Sequence, residues 1–111
     1  MTATDQSIRQ HTSESAAKVI EILRQWKPKH DEYTAGIIAR EASFANGSFD
    51  AEKSASLDAL GDECHELAAD AEQIMRVHVF ENLLPATAMD WIYDDYDALM
   101  ADLADIAHGD F

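Results

Sequence analysis

From Leu57 to Ile74 the apolar residues recur at three- and four-residue intervals without a break: Leu57, Leu60, Cys64, Leu67, Ala71 and Ile74. A period near 3.5 gathers all of them on one side of an α-helix but scatters them over both faces of a strand. The stretch therefore reads as a helix with a coiled-coil-like seam. The seam reaches His78 and then drifts, as Val77, Phe80 and Leu84 take over the apolar side, so a bend or frayed end is expected there. Pro85 closes the segment, because the residue before a proline is pushed out of helical geometry. Its span is about 50–84.

Three further helices follow from spacing and punctuation. The first, about 6–27, carries Ala16, Val19, Leu23 and Trp26 on one side and is expected to stop at Pro28. The second, about 31–45, starts at Asp31 as N-cap, with Tyr33, Ile37 and Phe44 together, and ends at the Asn46-Gly47 turn. The last, about 88–108, opens on Thr87 with Asp90 three residues on, a capping-box pattern, and closes at Gly109. Ile92, Tyr96, Leu99, Leu103 and Ile106 form its apolar stripe. No stretch alternates with period two beyond a few residues. The expected fold is all-α, a compact bundle of four helices in one domain over residues 1–111, with a radius of gyration of roughly 13 Å.

Composition excludes several classes. With 47% apolar residues, two prolines and four glycines, the chain is neither disordered nor low in complexity. No apolar run approaches the ~20 residues that cross a bilayer, and the polar start, Met1 to Arg9, is unlike a secretory signal. The single cysteine, Cys64, fits a reducing compartment, so a cytoplasmic location is expected. Twenty-two acids against eight bases give −14, which disfavours direct contact with nucleic acid or an anionic membrane.

The charge is unevenly placed. Residues 1–41 hold six bases and six acids, whereas residues 42–111 hold sixteen acids against Lys53 and Arg76. The later stretch thus carries the whole excess. Asp58, Asp62, Glu66 and Asp70 form an i, i+4 ladder away from the seam of the long helix. On the last segment Asp90, Asp94, Asp97 and Asp105 fall within an arc of about 80°, flanked by Asp95, Asp102 and Trp91. Local physics does not favour this pattern. Like charges at i, i+4 cost about 0.2–0.5 kcal/mol each, and aspartate is a poor interior helix residue. One account is a solvated face, including that of a salt-loving host, whose acidity should then cover the first third too. The other is a surface made to meet a basic partner. A continuous helix from Asp90 to Asp105 would rise about 22 Å, and duplex DNA presents a phosphate every ~3.4 Å along each strand. Rows of stiff aspartates can stand in for phosphates.

The segment MDWIYDDYDALMADLADIA, Met89 to Ala107, resembles the acidic, aromatic-bearing final helices of the phage DNA-mimic anti-restriction proteins. The likeness covers about residues 74–107 and extends to the wider group of small acidic anti-CRISPR and nuclease-immunity proteins. The resemblance implies a non-enzymatic inhibitor that occupies the DNA site of a basic, nucleic-acid-binding protein. The near-neutral first third departs from those families, which implies one acidic face rather than an acidic surface throughout. The expected partner-binding residues are Asp58, Asp62, Glu66, Asp70, Asp90, Trp91, Asp94, Asp95, Asp97, Asp102 and Asp105.

Other chemistry reads more weakly. Asp62 with His65, and His78 with Glu81, have a spacing at which two helical side chains can share an ion. Asp62 points outward, however, and His78 lies on the seam. Cys64 sits beside His65, but neighbours on a helix point about 100° apart and a seam thiol is inert. Gly36, Gly47, Gly61 and Gly109 are isolated and build no phosphate loop. Trp26, Trp91, Tyr93 and Tyr96 read as core or rim aromatics. No cofactor or metal is expected. Two different classes of function remain as alternatives: a structural or assembly module whose leucine seam pairs with itself, giving a homodimer, or with a partner helix, and, third in order, a carboxylate-histidine metal-binding bundle.

Overall fold

The computed structural model describes the chain from Ala3 to Phe111, and its side chains from Gln6 on. Four α-helices follow one another: α1 (Ala3–Asn46), α2 (Ala51–Phe80), α3 (Ala88–Asp94) and α4 (Tyr96–Ala107), with no strand among the described residues. The all-α expectation holds, but the division of the chain into helices changes in three places.

The expected stop at Pro28 and start at Asp31 do not occur. Residues 6–27 and 31–45 belong to one 44-residue helix that runs through Pro28. The proline removes the donor that the Arg24 carbonyl needs, a cost of about 3 kcal/mol in a helix interior. Both Arg24 and Pro28 are exposed, so water can serve that carbonyl. Contacts across the proline hold the two halves in line: Trp26 stacks on His30 at 4.4 Å, and Lys27 pairs with Asp31 at 3.2 Å. Asp31 is a mid-helix partner, not a cap. At ~1.5 Å per residue α1 is about 66 Å long, and the molecule measures 67 × 20 × 19 Å. Its radius of gyration, 17.9 Å, exceeds the value expected of a compact globule because α1 stays extended.

The long segment ends at Phe80 rather than at 84. Asn82 adopts φ 61°, its N–H donates to the Val79 carbonyl at 3.0 Å, and the Leu83 N–H donates to His78 at 2.8 Å. This is the Schellman arrangement with asparagine in the left-handed position. The same device closes α4, where Gly109 (φ 81°) and Asp110 donate to Ile106 and Asp105. It closes α1 through Gly47 and a bond from Ser48 to Ser43, so the Asn46-Gly47 turn and the Gly109 cap stand as expected. Asp50 caps α2, accepting from the backbone of Glu52 and Lys53.

The expected single helix over 88–108 is two helices. Asp95 (φ −152°, ψ 63°) breaks the chain and its carboxylate accepts from the Ala98 N–H at 3.4 Å, capping α4. Aspartate competes for backbone donors and prefers caps to helix interiors, and three aspartates fall within residues 94–97. Thr87 makes no side-chain cap bond, so the capping box at Thr87 and Asp90 is not formed.

Packing is unequal along the length. In the base, α1 contributes Ala16, Val19, Leu23 and Trp26, α2 contributes Cys64, Ala68, Ala71 and Met75, and α4 contributes Leu99, Leu103 and Ile106, all buried, with Leu84, Ala88 and Ile92 between them. The α2 seam is rotated slightly from expectation, since Leu67 and Ile74 are half-buried and Ala68 and Met75 take the centre. α4 runs antiparallel to α1, with the Tyr96 hydroxyl donating to the Leu23 carbonyl at 3.1 Å and the Arg9 guanidinium reaching the Gly109 and Phe111 carbonyls. Beyond His30, where Tyr93 still touches α1, α2 alone covers it among the described residues, and the two form a stalk. Gly36 lies under Leu57 and Gly61 under Tyr33; a Cβ at Gly61 would stand 2.6 Å from the Tyr33 ring.

Because Pro28 is exposed and α1 is continuous regardless, Pro28→Ala should restore the missing donor and stabilise the fold by about 1–3 kcal/mol. A urea titration reads this as a raised midpoint with unchanged helicity. A lowered midpoint would show that the proline is needed for the native path of α1.

Candidate interaction surface

Four of the six bases of α1, Arg9, Lys27, Lys29 and Arg40, reach across to the later helices and the last segment. Lys29 pairs with Glu63 at 2.9 Å and Arg40 with Asp58 at 2.8 Å, both bridging α1 to α2. Glu63 pushes the Lys29 pKa up. Arg9 lies over the Phe111 ring at 4.5 Å and Lys27 over the Tyr96 ring at 5.4 Å, each tying α1 to the last segment. The near-neutral first third is thus the counter-charge for part of the acidic remainder.

Most expected partner-binding acids remain outside these contacts. Asp62, Glu66, Asp70, Asp90, Asp94, Asp97 and Asp105 are exposed, and the ion pairs among the described residues include none of them. Three others are placed differently. Asp58 is held by Arg40, Asp95 is the cap of α4, and Asp102 is half-buried. Trp91 is half-buried against the core.

The acids do not form the single 22 Å row that one continuous helix would give, because Asp90 and Asp94 lie on α3 and Asp97 and Asp105 on α4. Cross-helix contacts fix the levels. Tyr33 meets Gly61, Lys29 meets Glu63, and Thr12 meets His78 and Glu81, whereas Tyr96 meets Leu23 and Arg9 meets Gly109. The α2 row therefore stands opposite roughly residues 23–35 of α1 and the α4 acids opposite roughly residues 14–22. The two sets follow one another along the long axis for about 30 Å.

Where the stalk joins the base, aromatic rings cluster around Trp26. Tyr93 meets it edge-on at 5.5 Å, Tyr96 at 6.1 Å, and His30 meets both Trp26 and Tyr93. A groove of about 450 Å³ opens beside them, lined by Trp26, His30, Tyr33, Gly61, Cys64, His65 and Tyr93, with Asp58 and Asp62. The acid ladder was legible as a helical pattern, but this groove was not, because its walls come from three separate stretches, residues 26–33, 58–65 and Tyr93. Burial, with Lys27 beside it, pushes the His30 pKa below its ordinary value.

The residues read for other chemistry, Cys64, His78 and Glu81, are each engaged separately in the fold. Burial pushes the Cys64 thiol up and keeps it protonated. His78 is buried, with Nε2 3.3 Å from the Thr12 carbonyl oxygen and Nδ1 unpartnered, and Glu81 instead accepts from the Thr12 hydroxyl. Among the described residues no three His, Cys, Asp or Glu side chains converge as a metal site would require, and no helix is long and apolar enough to cross a membrane. Comparison with family models, curated proteins and solved structures gives no match to this chain.

The depressed His30 pKa carries a sign. Unfolded, His30 takes up its proton near the ordinary 6.5; folded, it resists until lower pH, so stability is lost as pH falls through that window. The melting temperature should therefore drop from about pH 7.5 to about pH 5.5, and drop less in His30→Gln. Equal slopes for the two proteins would remove His30 from the account.

Proposed function

We propose that this chain is a non-enzymatic, acidic helical decoy that acts in the cytoplasm by occupying the basic nucleic-acid-binding surface of another protein. The observation that carries the reading is the set of seven exposed carboxylates on α2, α3 and α4 that make no ion pair among the described residues, although four bases of α1 are used for contacts inside the fold. Their extent, about 30 Å, is that of roughly nine base-pair steps of duplex DNA at ~3.4 Å each. Restriction, CRISPR and nuclease-toxin enzymes are the target classes that the resemblance of the Met89–Ala107 segment supports.

The fourfold change of Asp90, Asp94, Asp97 and Asp105 to asparagine removes charge while keeping size. Stability should hold or rise as like charges are relieved. Inhibition of DNA cleavage, assayed against one enzyme of each target class, should weaken by a hundredfold or more, since each lost pairing at a partly desolvated interface costs on the order of 1 kcal/mol. Added salt and added duplex DNA should both relieve inhibition by the wild type. Undiminished inhibition by the variant, or a complex holding enzyme, DNA and this protein together, refutes the reading.

A second reading is favoured by the stalk. Phe44 and Phe49 stack at 4.5 Å at its tip and are 62% and 45% exposed, and Ile38 is 65% exposed. An assembly module would pair two such stalks. Sedimentation at tens of micromolar should then show about twice the 12.3 kDa chain mass, reverting to one chain in Phe44→Asp. A single-chain species throughout excludes it.

A further inference from the structure

The groove at the junction of stalk and base combines ring faces with carboxylates. His30 and Tyr33 come from α1, Tyr93 from α3, and Asp58 and Asp62 from α2. Its volume of about 450 Å³ is that of a small-ligand site. No lysine or arginine lines it. The lysines close by are engaged, Lys29 with Glu63 and Lys27 with Asp31. Asp58 is held by Arg40, but Asp62 is exposed and makes no ion pair among the described residues. His30 resists protonation, so near neutral pH it presents an uncharged ring.

We propose that this groove is a pocket for one basic side chain of a partner, an arginine whose guanidinium lies against Tyr93 and Tyr33 and pairs with Asp62. A planar, weakly hydrated cation gains from stacking on rings and from a two-pronged bond to a carboxylate, and arginine offers both while lysine offers neither as well. An anion is repelled by the aspartates, and an apolar ligand would leave Asp62 to be desolvated without a partner. The chain already sets its own cations on rings twice, Arg9 on Phe111 and, within the same aromatic cluster, Lys27 on Tyr96. Asp58 and Asp62 also begin the acid row of α2, so the pocket is an anchor at one end of the acidic surface. In that sense it rests on the decoy reading.

The pocket can be probed without any partner, by NMR titration of the intact protein with Nα-acetyl-arginine amide and, separately, with its neutral isostere, Nα-acetyl-citrulline amide. The arginine probe should shift His30, Tyr33 and Tyr93 saturably. The citrulline probe should bind about tenfold more weakly or not at all, the loss of one charge-assisted contact. Asp62→Asn should weaken the arginine probe to the same degree, Tyr93→Ala should abolish its effect on His30, and Tyr93→Phe should retain it because the ring remains. Asp105→Asn, on α4, should leave it unchanged. Equal binding of both probes, an unaffected Asp62→Asn, or shifts spread evenly over α2 and α4 without saturation would each overturn the pocket. Those failures leave the cleavage assay with the α3 and α4 variants untouched, so the pocket and the decoy reading fall separately.

Discussion

The continuity of α1 through Pro28 sets everything else in the molecule. One straight helix of 44 residues gives α2 a track along which thirty residues can pair antiparallel, but α4 has only twelve. The third layer therefore covers the base and ends near Trp26, leaving a two-helix stalk beyond. Two helices alone bury little, and they approach closely only because Gly36 and Gly61 admit Leu57 and Tyr33. The groove is a direct consequence: it lies where the third layer stops and aromatic side chains fill the step. Had α1 broken at Pro28, the chain would have had five helices and no single track to set the step.

Electrostatics follow the same division. α1 supplies the cations that hold the acidic helices, two by ion pairs to α2 and two by lying on rings of the last segment. Exposed pairs of this kind contribute little individually, about 0–1 kcal/mol. Their role is better described as orientation, since they sit on the inner edges of α2 and α4 and leave the outer carboxylates unneutralised. The asymmetry in the sequence, neutral then acidic, thus becomes an asymmetry between a spine and its covering.

What was legible in the sequence is what repeats. The stripes of α1, α2 and α4 were readable because packing against one neighbour imposes a period, and Ala16, Val19, Leu23, Trp26, Leu99, Leu103 and Ile106 are buried as that period requires. The acids, too, were readable as exposed faces, since they are the complement of those stripes. What single residues decide is less legible. The intrinsic cost of Pro28 predicts a break, while the stacking of Trp26 on His30 and the cross-helix contacts that outweigh it involve partners distant in sequence or unmarked by type. Asn82 carried a signal that could have been used: asparagine is the residue after glycine most tolerant of the left-handed conformation, and it stands just past the drift at His78. Asp95 reads by pattern as a surface charge, yet in a run of aspartates one is suited to cap a new helix. The groove left no pattern, because its walls meet only once the hairpin register is fixed.

The cost of the acid ladder bears on why it exists. Asp58, Asp62, Glu66 and Asp70 make three like-charged i, i+4 neighbours, a penalty of about 1 kcal/mol in total before screening. Arg40 relieves only the first member. Solubility alone asks for less, since glutamate with lysine four residues on gives charge without repulsion, and the chain has such a spacing in Glu72 and Arg76. Aspartate also forfeits helix propensity relative to glutamate, and gains in exchange a short, stiff side chain whose carboxylate stays close to the backbone. That stiffness contributes nothing to folding at an exposed position. It matters where a charge must be met at a fixed place by something else, because a side chain with fewer rotamers loses less freedom on being paired.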